Sequence, residues 1–134
     1  MKRFPDWPRR LDDAIEAARE RPFSWGSRDC ALFAADVVKA LTGEDLAASF
    51  RGRYSSRAEA VALLGARGGL EALVGATLGP ALPTALLARR GDVVMAKTEE
   101  GPAVGVCCGA KAAFAGPQGL TFLPLAAWAA AWRI

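Results

Sequence analysis

Residues 91–134 read GDVVMAKTEEGPAVGVCCGAKAAFAGPQGLTFLPLAAWAAAWRI. The runs DVVMAK, AVGVCCG, AAFAG, LTFLP and AWRI are β-branched, aromatic or small, and each is bounded by glycine, proline or a charged turn, a pattern that predicts an antiparallel sheet. Turns are expected at Lys97–Pro102, at Ala110-Lys111 and at Gly116–Gly119. The segment Ala112–Trp132 carries no charge and is close to the roughly 20 residues of a membrane span. Gly116, Pro117, Gln118 and Gly119 turn it in the middle and Pro124 interrupts it again, so neither half can cross hydrocarbon as a helix and no membrane span is expected.

Upstream the apolar period changes from strand-like to helical. A first helix is expected from Pro8 to about Glu20, with Leu11, Ile15 and Ala18 on one stripe and Pro22 as its stop. After the turn-rich PFSWGSRDC, a second helix begins at Cys30 with Asp29 as N-cap; Leu32, Ala35, Val38 and Leu41 share a face and Gly43 ends it. Residues 44–54 lack a period and read as a loop carrying Arg51, Arg53 and Tyr54. Ser56 and Glu59 have capping-box spacing before Ala60, Leu63 and Leu64, and a shorter helix runs from Leu70 to about Ala76 before Pro80 and Pro83. Helices first and sheet afterwards is the order of an α+β fold. At 134 residues the chain is expected to be one domain, helical over 1–88 and sheet over 91–134.

Composition narrows the chemistry. The chain has no histidine, which removes every Ser-His, Cys-His or His-metal mechanism from within it. Its three cysteines, Cys30, Cys107 and Cys108, form no CxxC pair and read as reduced thiols; neither a metal nor a cofactor is expected. Seventeen basic residues against 14 acidic ones, without a long basic run, do not call for nucleic acid. The opening MKRFPDWPRR is not followed by an apolar stretch, so the chain is expected to be made in a cytoplasm. After Glu100 only Lys111 and Arg133 are charged, which suits a surface partly covered by another chain.

Cys30 is the residue with the look of a nucleophile. In the first turn of a helix, unpaired N–H groups and the helix dipole favour a thiolate, so its pKa is expected to fall toward neutrality, with Arg28 assisting and Asp29 opposing. The other reading is a small buried residue packing the helix onto the sheet. Consecutive Cys107 and Cys108 should point to opposite faces of a strand. Trp25 and Trp7 suit either groove or core, Trp128 and Trp132 the core, and Asp92 a turn or cap.

Two motifs carry a family resemblance. Trp25-Gly26 followed by Asp29-Cys30 is similar to the catalytic opening of the NlpC-type papain-like cell-wall peptidases, and Gly91-Asp92-Val93 with Ala103-Val104-Gly105-Val106 looks like the G-D-V and H-V-G-I-type strands of the same family. More narrowly, the opening helix with WP, the RGRYSS loop, G-D-V-V and the closing A-W-R-I resemble an uncharacterised branch often encoded by tailed bacteriophages and prophages. The resemblance implies a papain-like fold, Cys30 at the nucleophile position, Asp29 capping its helix, and a groove with Trp25, Gly26, Arg28 and Tyr54. It also implies that the base histidine position is occupied by Ala103, while no His, Asn or Gln stands near Phe114–Gly116 to orient a base. A methyl group neither takes the thiol proton nor protonates the leaving amine, assistance typically worth about 10²–10⁴-fold. None of Asp29, Asp92 and Lys97 has a spacing that compels it as a substitute. The resemblance thus implies a catalytically silent component of a phage tail tip or related particle, made in bacterial cytoplasm, built into a virion and contacting other tail proteins. The alternative is an active cysteine hydrolase of peptidoglycan peptide bonds, using Cys30 with a non-histidine or partner-supplied base.

Overall fold

Every turn expected in residues 91–134 separates two strands in the computed structural model, which describes Met1–Ile134. The strands are β1 (Val93–Thr98), β2 (Gly101–Cys107), β3 (Lys111–Gly116), β4 (Gly119–Pro124) and β5 (Trp128–Trp132), preceded by helices α1 (Trp7–Ala18), α2 (Cys30–Thr42), α3 (Arg57–Gly65) and α4 (Leu70–Leu78). The sheet order is β4-β3-β2-β1-β5 and all neighbours are antiparallel. The fold is α+β, with helices N-terminal and sheet C-terminal. No single helix is long and apolar enough to cross a membrane.

Local chemistry sets the helix ends. A proline in the first turn opens α1. Asp29 caps α2 and Gly43 closes it in the left-handed conformation, at φ 84°. Ser56 accepts from the Glu59 N–H while the Glu59 carboxylate reaches back to the Ser55 N–H and hydroxyl, one residue earlier than in a strict capping box.

The sheet is buried on both faces. On one, Leu11 and Ile15 of α1 and Phe33, Val37 and Leu41 of α2 pack on Val93, Met95, Val104, Val106 and Trp132. On the other, Val94, Ala96, Cys107, Ala112, Phe114 and Ala131 are covered in part by Leu82, Ala85 and Ala88 from the segment after α4. Cys107 and Cys108 fall on opposite faces, as strand alternation requires. Trp132 is fully buried, whereas Trp128 is half-buried and donates its indole N–H to the Leu123 carbonyl.

The facing of β2 corrects one expectation. Ala103 pairs with Ala96 and belongs with Cys107 to the face away from the helices, while Val104 and Val106 point toward them. Gly105 is held to glycine by its neighbour: a Cβ there would lie 2.2 Å from the Ala113 carbonyl oxygen and 2.6 Å from the Phe114 ring. Beyond Val106 and Cys107 the two strands no longer pair, which leaves the first half of β2 without a strand partner on the β3 side.

Asp92, expected as a turn or cap, does more. Its side chain is fully buried and accepts from the N–H groups of Arg89 (2.8 Å) and Ile134 (3.0 Å) and from the guanidinium groups of Arg3 (2.9 Å) and Arg133 (3.0 Å). Arg3 also donates to the carbonyls of Ile134 and Arg90. One carboxylate thus ties residues 3, 89, 133 and 134 to the start of β1.

Candidate functional site

Asp29, Gly26 and Tyr54 form one construction around the start of α2. The Asp29 side chain is buried; Oδ1 accepts from the Leu32 N–H (3.0 Å), and Oδ2 accepts from the Gly26 N–H (3.0 Å) and from the Tyr54 hydroxyl. Gly26 has φ 81°, and a Cβ on it would lie 1.8 Å from the Tyr54 carbonyl oxygen, so only glycine lets the 50–55 loop pass this closely. The Gly52 N–H closes the contact by donating to the Gly26 carbonyl. Burial, then the bond to Asp29, hold the Tyr54 phenol far above its ordinary pKa, so it stays a protonated donor to the carboxylate.

Cys30 stands next to this cluster, partly buried at the first residue of α2. The expected fall in its pKa does not occur. Burial pushes the thiol up and the Asp29 carboxylate adds to the rise, against the backbone N–H groups of Val104, Ala31 and Cys30 itself. Dehydration of the sulfur outweighs the helix terminus, one of whose N–H groups, that of Leu32, is already taken by Asp29.

The sulfur looks into a cavity of about 440 Å³ walled by α2, the loop after it, the α3–α4 pair and the start of β2. Of its 28 lining residues 21 are hydrophobic. Trp25 and Tyr54 are in the wall, and the Trp25 ring packs edge-on against Phe23; Gly26 lies buried behind Tyr54. Arg28 is exposed, does not line the cavity, and is not among the groups that act on the thiol. On the β2 side Pro102 and Val104 line the cavity with Cys30, whereas Ala103 lies on the other face of the sheet. Phe114 is also on that far face. Asp92 is committed to its arginines, and Lys97 is exposed near the end of β1. Sequence reasoning missed two charged wall residues, Arg57 at the start of α3 and Glu100 in the β1–β2 turn; only their neighbourhood to a capping box and a hairpin turn marked them as fixed points. No cluster of three or more His, Cys, Asp or Glu is placed to hold a metal ion.

The site therefore presents a neutral thiol, a carboxylate with both oxygens hydrogen-bonded and a protonated phenol at one end of an apolar chamber. A family model described as a domain of unknown function, DUF6950, matches residues 2–134. The chain belongs to the DUF6950 family. A comparison with curated proteins gives no match. The DUF6950 match spans both constructions, the Asp29 cluster at the cavity and the Asp92 clasp behind the sheet.

A neutral Cys30 has a measurable consequence for DUF6950. Alkylation mapped by peptide mass should be slower at Cys30 than in the unfolded chain at pH 8, and its rate should go on rising with pH beyond about 8.5, where an ordinary thiol levels off. Because the folded pKa is raised, the stability contributed by the protonated thiol is present below the unfolded value and is lost as pH climbs toward the folded one. Rapid labelling at pH 7 would show an activated thiolate instead.

Proposed function

We propose that this DUF6950 domain is a catalytically silent NlpC-type relative that serves as a structural or assembly component of a bacteriophage tail tip or related particle. The observation that carries the silent half is the surroundings of the Cys30 sulfur. The strand opposite offers it Pro102 and Val104, and the adjacent Asp29 carboxylate has both oxygens engaged by Leu32, Gly26 and Tyr54. Amide hydrolysis needs a group that accepts the thiol proton and returns it to the leaving amine, and a carboxylate already holding three donors, one of them the Tyr54 phenol, is poorly disposed to do either.

The assembly half is supported by the phage-associated motif set and by the outer surface. Leu86, Leu87 and Leu125 are large exposed apolar residues, and only Lys111 and Arg133 carry charge after Glu100. Such a surface is better suited to burial against other subunits than to permanent contact with water. Purified particles from a producing strain should contain the chain at a fixed copy number that survives high-salt washing, read by quantitative mass spectrometry. Its absence from intact particles, with abundant free protein in the lysate, would contradict the assembly role.

The alternative reading, an active peptidoglycan hydrolase, has one observation in its favour. Glu100 lines the cavity and its carboxylate is in no ion pair. It is the group whose removal, as Glu100→Gln, would abolish any turnover that Cys30 performs.

A further inference from the structure

We propose that the cavity beside Cys30 binds one molecule of a free long-chain fatty acid, with the hydrocarbon between α2 and the α3–α4 pair and the carboxylate at Arg57. This assigns a ligand class to the same chamber but does not depend on the particle role.

Volume and lining point to the hydrocarbon. About 440 Å³ lies within the range of about 300–1,000 Å³ typical of small-molecule sites, and three-quarters of the wall is apolar. Apart from Arg57 and Glu100 at the rim and the Cys30 thiol, the polar side chains in the wall are already occupied. The Asp29 oxygens take three donors, the Tyr54 proton goes to Asp29, and the Thr77 hydroxyl donates to the Leu73 carbonyl. A peptide or sugar would lose its hydrogen bonds to water here and regain few, whereas a methylene chain loses none.

The two upper helices fit the same conclusion. Each buries only one residue completely, Ala60 in α3 and Leu70 in α4, yet Leu64, Leu73 and Val74 are half-buried and turned into the cavity. Together the pair is apolar enough to suggest a broken membrane span, bent by 61°, but Val61 is its one large exposed apolar side chain. Their greasy side faces inward, toward the cavity, and not outward toward a bilayer.

Arg57 supplies the complement to a carboxylate. It is the only cation in the wall, it is exposed at the N-terminus of α3, and it forms no ion pair; its one side-chain hydrogen bond runs 3.4 Å from Nη2 to the Glu100 carbonyl oxygen. The Glu100 side chain, on the same rim, is exposed and makes no ion pair with the guanidinium.

Calorimetric titration of the full chain with laurate, myristate and palmitate, each below its micellar concentration, tests the proposal. One-to-one binding is expected, tightening by roughly tenfold for each two added methylenes until the chamber is full. Palmitate methyl ester and the Arg57→Gln variant should each bind about 3- to 10-fold more weakly. Brominated stearate should quench Trp25, and the quenching should vanish in Trp25→Phe. Leu64→Trp, which fills the chamber, should abolish binding; should it not fold, by circular dichroism, Val74→Phe takes its place. Affinity independent of chain length, no binding of palmitate up to its solubility, or unchanged affinity in a folded filling variant would overturn the proposal. Binding to phosphatidylglycerol vesicles without uptake of free fatty acid would also overturn it, assigning this face to a membrane. None of these readouts involves peptide hydrolysis or particle content, so their failure and that of the silent assembly role are separable.

Discussion

Asp92→Ala should lower the free energy of unfolding by about 3–5 kcal/mol, the range for breaking a buried ion pair from one side. The buried carboxylate holds four donors, and the partner left worst off is Arg3, whose side chain is only 13% exposed; Arg133 at 39% can turn to water and recover part of its loss. The N–H groups of Arg89 and Ile134 lose their acceptor as well. Since a domain of this size has about 5–15 kcal/mol in total, the variant should unfold at a markedly lower urea midpoint. Asp92→Asn, which keeps one acceptor oxygen but not the charge, should fall between the two. A loss under about 1 kcal/mol in Asp92→Ala would mean that the clasp is not formed in solution.

Asp29→Ala is expected to cost a similar amount, about 3–5 kcal/mol, from one lost helix cap and the two further donors that the carboxylate satisfies. Here the missing acceptor strands the N–H groups of Gly26 and Leu32 and the hydroxyl of Tyr54. Tyr54→Phe removes one donor and leaves two, so alone it should cost about 1.5–3 kcal/mol, the worth of a hydrogen bond to a charged acceptor. Because the two residues share that bond, the double variant should lose less than the sum of the singles, with a coupling of about 0.5–3 kcal/mol by denaturant unfolding. Strict additivity would contradict the cluster. Gly26 ties this construction to the W-G motif, since any Cβ there displaces the loop that delivers Tyr54.

What the sequence made legible is what local chemistry decides. Asp29 before Cys30, Gly43 after Thr42, the proline at the start of α1 and the Ser56–Glu59 pair are signals contained within a few residues, and they mark the helices to within about two residues. The first four strand runs were equally clear, because glycines, prolines and charges separate them; the last strand, expected at A-W-R-I, lies at Trp128–Trp132. The facing of β2 was not. A strand reading A-V-G-V-C-C is apolar at every position, and this sheet is buried on both sides, so alternation could not say which set meets the helices. The assignment of Ala103 to the place opposite the sulfur rested on motif alignment alone, and the strand turns it the other way.

The thiol and the two carboxylates failed to show for a different reason. A helix N-terminus is visible in sequence, but the burial that reverses its effect on Cys30 comes from chain elements far downstream, α3, α4 and β2. Asp92 looked like one residue of a turn because its arginines lie 89 positions before and 41 positions after it. Asp29 was legible as a cap, through its bond to the Leu32 N–H, but its bond to Tyr54, 25 residues on, was not. Contacts across such separations are fixed by packing, which no window of sequence contains.

Cys30, on this account, has no partner able to accept its proton and is therefore idle. The most direct test is the release of peptide fragments from purified muropeptides by the wild-type chain, by Cys30→Ala and by Glu100→Gln, followed by mass spectrometry over pH 6–9. An idle thiol predicts the same background in all three at every pH. Turnover well above background that disappears in Cys30→Ala would contradict it, and loss in Glu100→Gln as well would name the base.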